Sequence, residues 1–341
     1  MAAKYKWTMN LVVARGSLAE AISRKWSEEP VSVEPAALAS GIPATPDHDL
    51  VFHGGKTIPN LNFANCYVGG KDAWDDGDVT NINSAIEAIM TDRRLNNVMV
   101  QYFPTGTAIS ASSLGSTFLT VPVPRIVSRG DIDALVTTAV TSTPLQGADF
   151  GSTVINLMLP EGTVLTTDEA PSDASASGAA SQVKPYATPS AKFSLGREKA
   201  TVRETVDSMN GLGGYHGSVH DGARTFYFSV GVYSKGTNGI DAFGTPGKNV
   251  VATFYHELCE VRTDSDVEDA NRNNDFSFLG GNPAQGEECG DLPIFEDPSL
   301  NRVFREIDLA SGDRVSPVQF QYSNHVHGPE GPIDNPNPSL R

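Results

Sequence analysis

The sequence predicts a mixed α/β fold (α/β or α+β), a single domain around a twisted mixed sheet. Two observations predict it. Short apolar runs of strand type alternate with segments of helical apolar spacing, which favours layered α/β packing. The chain has 341 residues and is 39% hydrophobic and 19% charged. That is enough apolar content to bury a sizeable core, and too little charge for a disordered chain.

The elements follow in order. Residues 1–50 read as an N-terminal arm ending in a Pro-rich stretch (Pro30, Pro35, Pro43, Pro46), and the domain spans 51–330. Residues 61–68 (LNFANCYV) read as a buried strand. Residues 79–95 space Ile82, Ile86, Ile89 and Met90 as a helix, with Asp78 or Thr80 as N-cap. Residues 97–103 (NVMVQYF) read as a second strand. Residues 128–140 open on Ser128 and Asp131 and carry Ile132, Leu135 and Val136, a helix. Residues 152–159 (STVINLML) form a strand stopped by Pro160-Glu161-Gly162.

The composition then shifts. Residues 166–194 are rich in Ala, Ser, Pro and Thr and lack the apolar content for a core, so they read as a long flexible insertion. A short helix is expected around 202–209. The glycines of 211–222 (GLGGYHGSVHDG) favour a loop or turn, and 225–232 (TFYFSVGV) a strand. Thr245 as N-cap and Pro246 just inside start a helix that runs to about Asp264. Its apolar face holds Val250, Val251, Phe254, Leu258 and Val261. Residues 266–290 read as a polar loop, 317–322 (PVQFQY) as a late strand, and 331–341 as an irregular tail.

Charge and cysteines narrow the function classes. A net charge of −16 excludes a nucleic-acid partner and adhesion to anionic membranes, since both need clustered Lys and Arg. The acidity reads first as solubility. Three cysteines, Cys66, Cys259 and Cys289, make neither a disulfide framework nor a C-x-x-C zinc site. No run approaches the ~18 apolar residues of a membrane span, so no membrane insertion is expected. The first apolar run is broken by Asn10 and Arg15, a poor signal peptide. The protein then stays inside the cell, leaves by another route, or has been trimmed.

The richest chemistry is His256-Glu257-Leu258-Cys259-Glu260, an H-E-x-x-E pattern. On a helix, positions i and i+4 share a face, so His256 and Glu260 can grip one metal ion. Glu257 then stands where a general base for the hydrolytic water belongs. The competing reading is a solvated helix face, weakened by the apolar neighbours Val251, Phe254 and Leu258. Two flanking segments carry further candidates: His216 and His220 in Y-H-G-S-V-H, and Glu287, Glu288 and Asp291 in G-E-E-C-G-D. Each alone reads more readily as a solvated surface group. No G-x-S-x-G, Walker loop or dinucleotide fingerprint competes, and no EF-hand calcium loop is present.

These segments, in this order, resemble the Exordium-like, phosphate-induced-protein family and its bacterial relatives labelled metallopeptidases. The chain's F-H-G-G at 52–55, followed by 62–70 and Trp74, is similar to the family's H-G-G, strand and W-G-x-x-W block. Residues 98–102 resemble its strand ending in Q-Y, and L-P-E-G-T at 159–163 its L-P-x-G-T. G-Y-H-G-S at 214–218 resembles C-G-Y-H-G-S without the Cys. H-E-L-C-E-V-R-T-D at 256–264 resembles H-E-L-x-E-x-x-T-D-P, with Ser265 in place of the Pro. E-C-G-D-L at 288–292 resembles E-I-G-D-L-C, and Q-F-Q-Y-S-N at 319–324 resembles Q-x-x-W-S-N.

The family's two cysteines fall on Gly213 and Pro293 here. Their joint absence implies that they pair in secreted relatives, which would set the His216 segment beside the Glu288 segment. The resemblance implies a zincin-like domain with an active-site helix, and a zinc metallopeptidase acting on a peptide or protein substrate. Ligands would be His256 and Glu260, with His216, His220 or Glu288 as a further one. Glu257 would be the base, Tyr215 an oxyanion stabiliser, and Asp264 and Asp291 supports behind the ligands. The alternatives are a non-catalytic binding or signalling module with a structural metal, and a calcium-stabilised protein using Glu260, Asp264, Glu288 and Asp291. Relatives are often extracellular.

Overall fold

The computed structural model describes residues 39, 41–167, 207–266, 277–279, 288–297, 300–312 and 314–341. The expected insertion from 168 on, residues 202–206 of the expected short helix, and most of the 266–290 loop lie outside them.

A five-stranded mixed sheet organises the molecule. Its strands are β1 (Asn60–Val68), β2 (Ser110–Leu119), β3 (Thr153–Leu159), β4 (Gly214–Asp221) and β5 (Arg224–Val232), in the spatial order β2-β1-β3-β5-β4. Neighbours run parallel except β4, which is antiparallel to β5. Strands β1 and β3 are buried along most of their length, as strands with both sheet faces covered must be.

Helices cover both faces. On one, α1 (Asp76–Thr91) and α4 (Pro246–Thr263) pack Ile82, Ile86, Phe254 and Leu258 over Phe63, Tyr67, Val154 and Met158. On the other, α3 (Arg129–Ala139) packs Ile132, Leu135 and Val136 over Ile155, Leu157, Phe228 and Val230. Ser128 and Asp131 close a capping box at the start of α3. No helix among the described residues is long and apolar enough to cross a membrane.

Several sequence expectations are corrected. Helix α1 begins three residues before Val79, because Asp75 caps it by accepting from the amides of Gly77 (2.8 Å) and Asp78 (3.2 Å). Residues 97–103 are not a strand. Asp92 restarts the chain as α2 (Arg93–Met99), followed by a 3-10 turn at Val100–Tyr102. Leu95, Val98, Met99 and Tyr102 are buried at helical spacing, not alternation. The short helix near 202–209 appears, within the described residues, only as a 3-10 turn at Ser208–Asn210. Strand β2 has no counterpart in the sequence reading. Its polar SASSLGSTFL suits a sheet edge, and Gly115 (φ +95°) sits where its register against β1 shifts.

The Gly-rich segment 214–221 is strand β4, not a loop. Gly214 serves close approach: a Cβ there would lie 2.4 Å from the Val230 carbonyl and 2.9 Å from Thr253. The turn comes at Gly222 (φ +62°), between the paired Asp221 and Arg224.

Helix α4 is buried all round from Asn249 to Thr263, not on one face only. It lies against the sheet, α1, and an antiparallel hairpin of β6 (Phe304–Asp308) and β7 (Val315–Gln319). The late strand expected at 317–322 breaks at Phe320 into β7 and β8 (Gln321–Ser323), the latter paired with β9 (Gly328–Glu330). Short helix α5 (Asp291–Glu296) closes the end of the layer near β8 and β9.

Candidate metal centre

Helix α4 places His256 and Glu260 one turn apart. His256 Nε2 lies 3.2 Å from Glu260 Oε2, and both side chains are fully buried. The other nitrogen, Nδ1, stands 2.7 Å from Gln319 Oε1 at the end of β7. Gln319 turns its amide nitrogen to the Gly290 carbonyl, which leaves Oε1 to accept. His256 therefore donates from Nδ1 and turns Nε2 toward Glu260. The Gly290 amide donates to Glu260 Oε1 (3.1 Å), which leaves Oε2 facing the cluster. Gly290 is there because nothing larger fits: a Cβ would lie 2.4 Å from His256 Nδ1 and 2.8 Å from Glu260 Oε1.

Strand β4 contributes His216 from the facing sheet. Its Nδ1 lies 3.3 Å from Glu257 Oε2 and 3.5 Å from Glu260 Oε2. Its Nε2 stands 3.3 Å from the Asp264 carbonyl, an acceptor only, so Nδ1 is the nitrogen left for the cluster. Glu288 Oε1 approaches His216 Nε2 at 3.8 Å, and Asp291 Oδ1 approaches His256 Nε2 at 3.8 Å. Two sets of three donors result, each with ligand atoms within 4.8 Å of one another: His216, Glu257, Glu260 and His256, Glu260, Asp291. These buried groups can hold a metal ion.

The electrostatics favour a cation. Glu257, Glu260, Asp264 and Glu288 are buried, and no Lys or Arg pairs with them among the described residues. Buried charges need partners, or they bind protons instead. Burial pushes Glu257 and Asp264 each up to about 7. Glu288 is driven well above the usual carboxylate range, by burial first and then by the Glu260 charge. Burial also acts to raise Glu260, but His256 and His216 outweigh it and bring its pKa down to about 2. On His216 burial works against the proton, yet Glu257 and Glu260 lift it to about 10, and His256 is raised in the same way. Glu257 Oε1 and both Glu288 oxygens make no hydrogen bond, and His256 Nε2 and Glu260 Oε2 meet only ion-pair partners, at 3.2 Å and beyond. Unbonded carboxylate oxygens beside buried imidazoles fit a metal ion.

The expected site residues divide into two groups. His216, His256, Glu257, Glu260, Glu288 and Asp291 come together. Asp264 joins them through its backbone carbonyl, while its carboxylate accepts from the Ser277 amide (3.2 Å). His220 does not join. It sits four residues along β4 from His216, ~13 Å at strand rise, and pairs with Asp266 (3.4 Å), Ser218 and Thr225. Tyr215 does not join either, because adjacent strand residues face opposite ways. Its ring packs on Phe228 in the core under α3, across the sheet from the cluster. Gln319 and Gly290 were not among the expected site residues. Both lie in segments already singled out, Q-F-Q-Y-S-N and E-C-G-D-L, so position was legible while role was not. A separate cleft at the other end of α4, lined by Asp78, Lys248 and Arg314, includes none of the cluster residues.

Comparison with known proteins returns nothing. No protein-family model matches the chain, and no curated protein and no solved structure is similar to it.

Proposed function

We propose that this chain is a metal-dependent hydrolase: a zinc metallopeptidase of zincin-like type, related to the Exordium-like family and acting on a peptide or protein substrate. One observation carries the reading. His256 Nε2 and Glu260 Oε2 stand 3.2 Å apart on one buried helix and form a set of three ligand groups with Asp291, while Glu257 Oε1 on the same helix makes no hydrogen bond. His256 and Glu260 would hold the ion, with Asp291 completing the set. The ion would supply Lewis acidity toward a substrate carbonyl. Glu257 is anchored through Oε2 by His216 and keeps Oε1 open to accept the proton of an attacking water. A carboxyl pushed up to about 7 is matched to that task near neutral pH.

A second reading rests on burial. His256, Glu257, Glu260 and Glu288 are all 0% exposed, and closed sites are the structural kind. In that case the protein is a binding or signalling module stabilised by zinc, or by calcium, given its carboxylate majority.

The test is elemental analysis of purified protein, with cleavage of a peptide library, for wild type, Glu257→Gln and His256→Ala. The hydrolase reading expects a transition metal in wild type. Glu257→Gln should keep metal on His256 and Glu260 and lose turnover by about 100- to 10,000-fold, and His256→Ala should lose that metal. Metal without cleavage favours the structural centre, and calcium alone favours the calcium form. Neither transition metal nor cleavage in wild type ends the hydrolase reading.

A further inference from the structure

We infer that the centre holds two divalent transition-metal ions rather than one, with Glu260 as the carboxylate they share. This rests on the metal-centre reading above but not on hydrolysis. The two donor sets, His256 with Asp291 and His216 with Glu257, have Glu260 in common. The two histidines never fall in one such set among the described residues, so one ion does not reach both without rearrangement. Glu260 Oε2 stands between them, 3.2 Å from His256 Nε2 and 3.5 Å from His216 Nδ1.

Each histidine is oriented for its own ion. His256 is held from behind by Gln319 and His216 by the Asp264 carbonyl, and each turns its remaining nitrogen to Glu260. Two histidines, each backed by an acceptor and each turned toward Glu260 Oε2, are more than one ion reaches without rearrangement. Glu288, with both oxygens unbonded, lies at the other edge of the His216 ring, 3.8 Å from Nε2.

Charge points the same way. Five buried carboxyls, Glu257, Glu260, Asp264, Glu288 and Asp291, surround the two histidines, and no Lys or Arg pairs with the first four among the described residues. Two divalent ions offset more of that carboxylate charge than one. A set of one imidazole and several carboxylates per ion suits Zn²⁺, Mn²⁺ or Co²⁺.

The experiment is metal stoichiometry on the full chain, stripped with a chelator and reloaded with Zn²⁺ alone, read by elemental analysis after equilibrium dialysis. A Co²⁺ titration followed by visible absorbance runs beside it. Wild type should bind two equivalents, with the absorbance breaking at two. His216→Gln should retain one equivalent, and Glu260→Gln should lose both. Circular dichroism checks that each variant folds; a variant that does not is set aside, because the wild-type count decides by itself. One equivalent in wild type overturns the pair, and so do two equivalents unchanged in a folded His216→Gln. Peptide cleavage with one equivalent sinks the pair and spares the hydrolase reading. Two equivalents without cleavage does the reverse.

Discussion

Gly290 touches both His256 and Glu260 without a side chain of its own. Its amide holds Glu260 and its carbonyl holds Gln319, which in turn holds His256. Gly290→Ala must push its Cβ into the His256 ring, so it should cost about 1–3 kcal/mol in denaturant unfolding and weaken zinc binding with it. Gln319→Leu keeps the volume and removes the acceptor behind His256. Its zinc affinity, measured by competition with a chromogenic chelator, should fall about 10- to 100-fold. The cysteines make a contrasting case. Burial pushes Cys66 and Cys259 up to about 12, and Cys289 rises for the same reason. A thiol whose pKa is raised stays protonated, and so inert, at ordinary pH. Alkylation at pH 8 should leave all three unlabelled in native protein and label all three once it is denatured.

Helix α4 reverses the usual arrangement, in which one stripe is buried and the other solvated. Every residue from Asn249 to Thr263 is buried, so its polar stripe must face the centre rather than water. Its start is marked by Thr245 and Pro246, yet the Thr245 side chain makes no capping hydrogen bond. Asp75, by contrast, caps α1 through two amides. Asp75→Ala should therefore cost ~1 kcal/mol in denaturant unfolding, and Thr245→Ala close to nothing. Helix α2 departs from the strand expected at 97–103. Leu95, Val98, Met99 and Tyr102 follow the helical period, but the β-branched Val98 and Val100 and the aromatic Tyr102 and Phe103 suggested a strand. The cap at Asp92 decided otherwise. Strand β2 was illegible for a different reason: edge strands need not be apolar, so its serines carry no signal.

Across the whole molecule, the centre joins pieces far apart in the chain: β4, α4, the start of α5 and the end of β7. An ion bound there would tie them together and would bind the unfolded chain far less. At free metal ~1,000-fold above Kd this linkage contributes ~4 kcal/mol. Chelation should therefore lower the melting temperature measured by calorimetry, and reloading should restore it. An unchanged melting temperature would mean that the centre holds no ion that matters to the fold.

The sequence by itself determined what lies within one helix and its neighbours in the chain. His256, Glu257 and Glu260 share a buried end of α4 because the helical period depends only on local spacing. Strands β1, β3 and β5, helix α3 and the start of α4 were legible for the same reason, as apolar pattern and caps are written in consecutive residues. The tertiary structure alone decided which partners meet that helix. His216 faces the cluster and Tyr215 faces away because β4 pairs with β5 in one register, and a slip of one residue would exchange them. Gln319, 63 residues beyond His256, reaches it only because the β6–β7 hairpin packs on α4. Long-range pairing and packing set those contacts, and no local period records them.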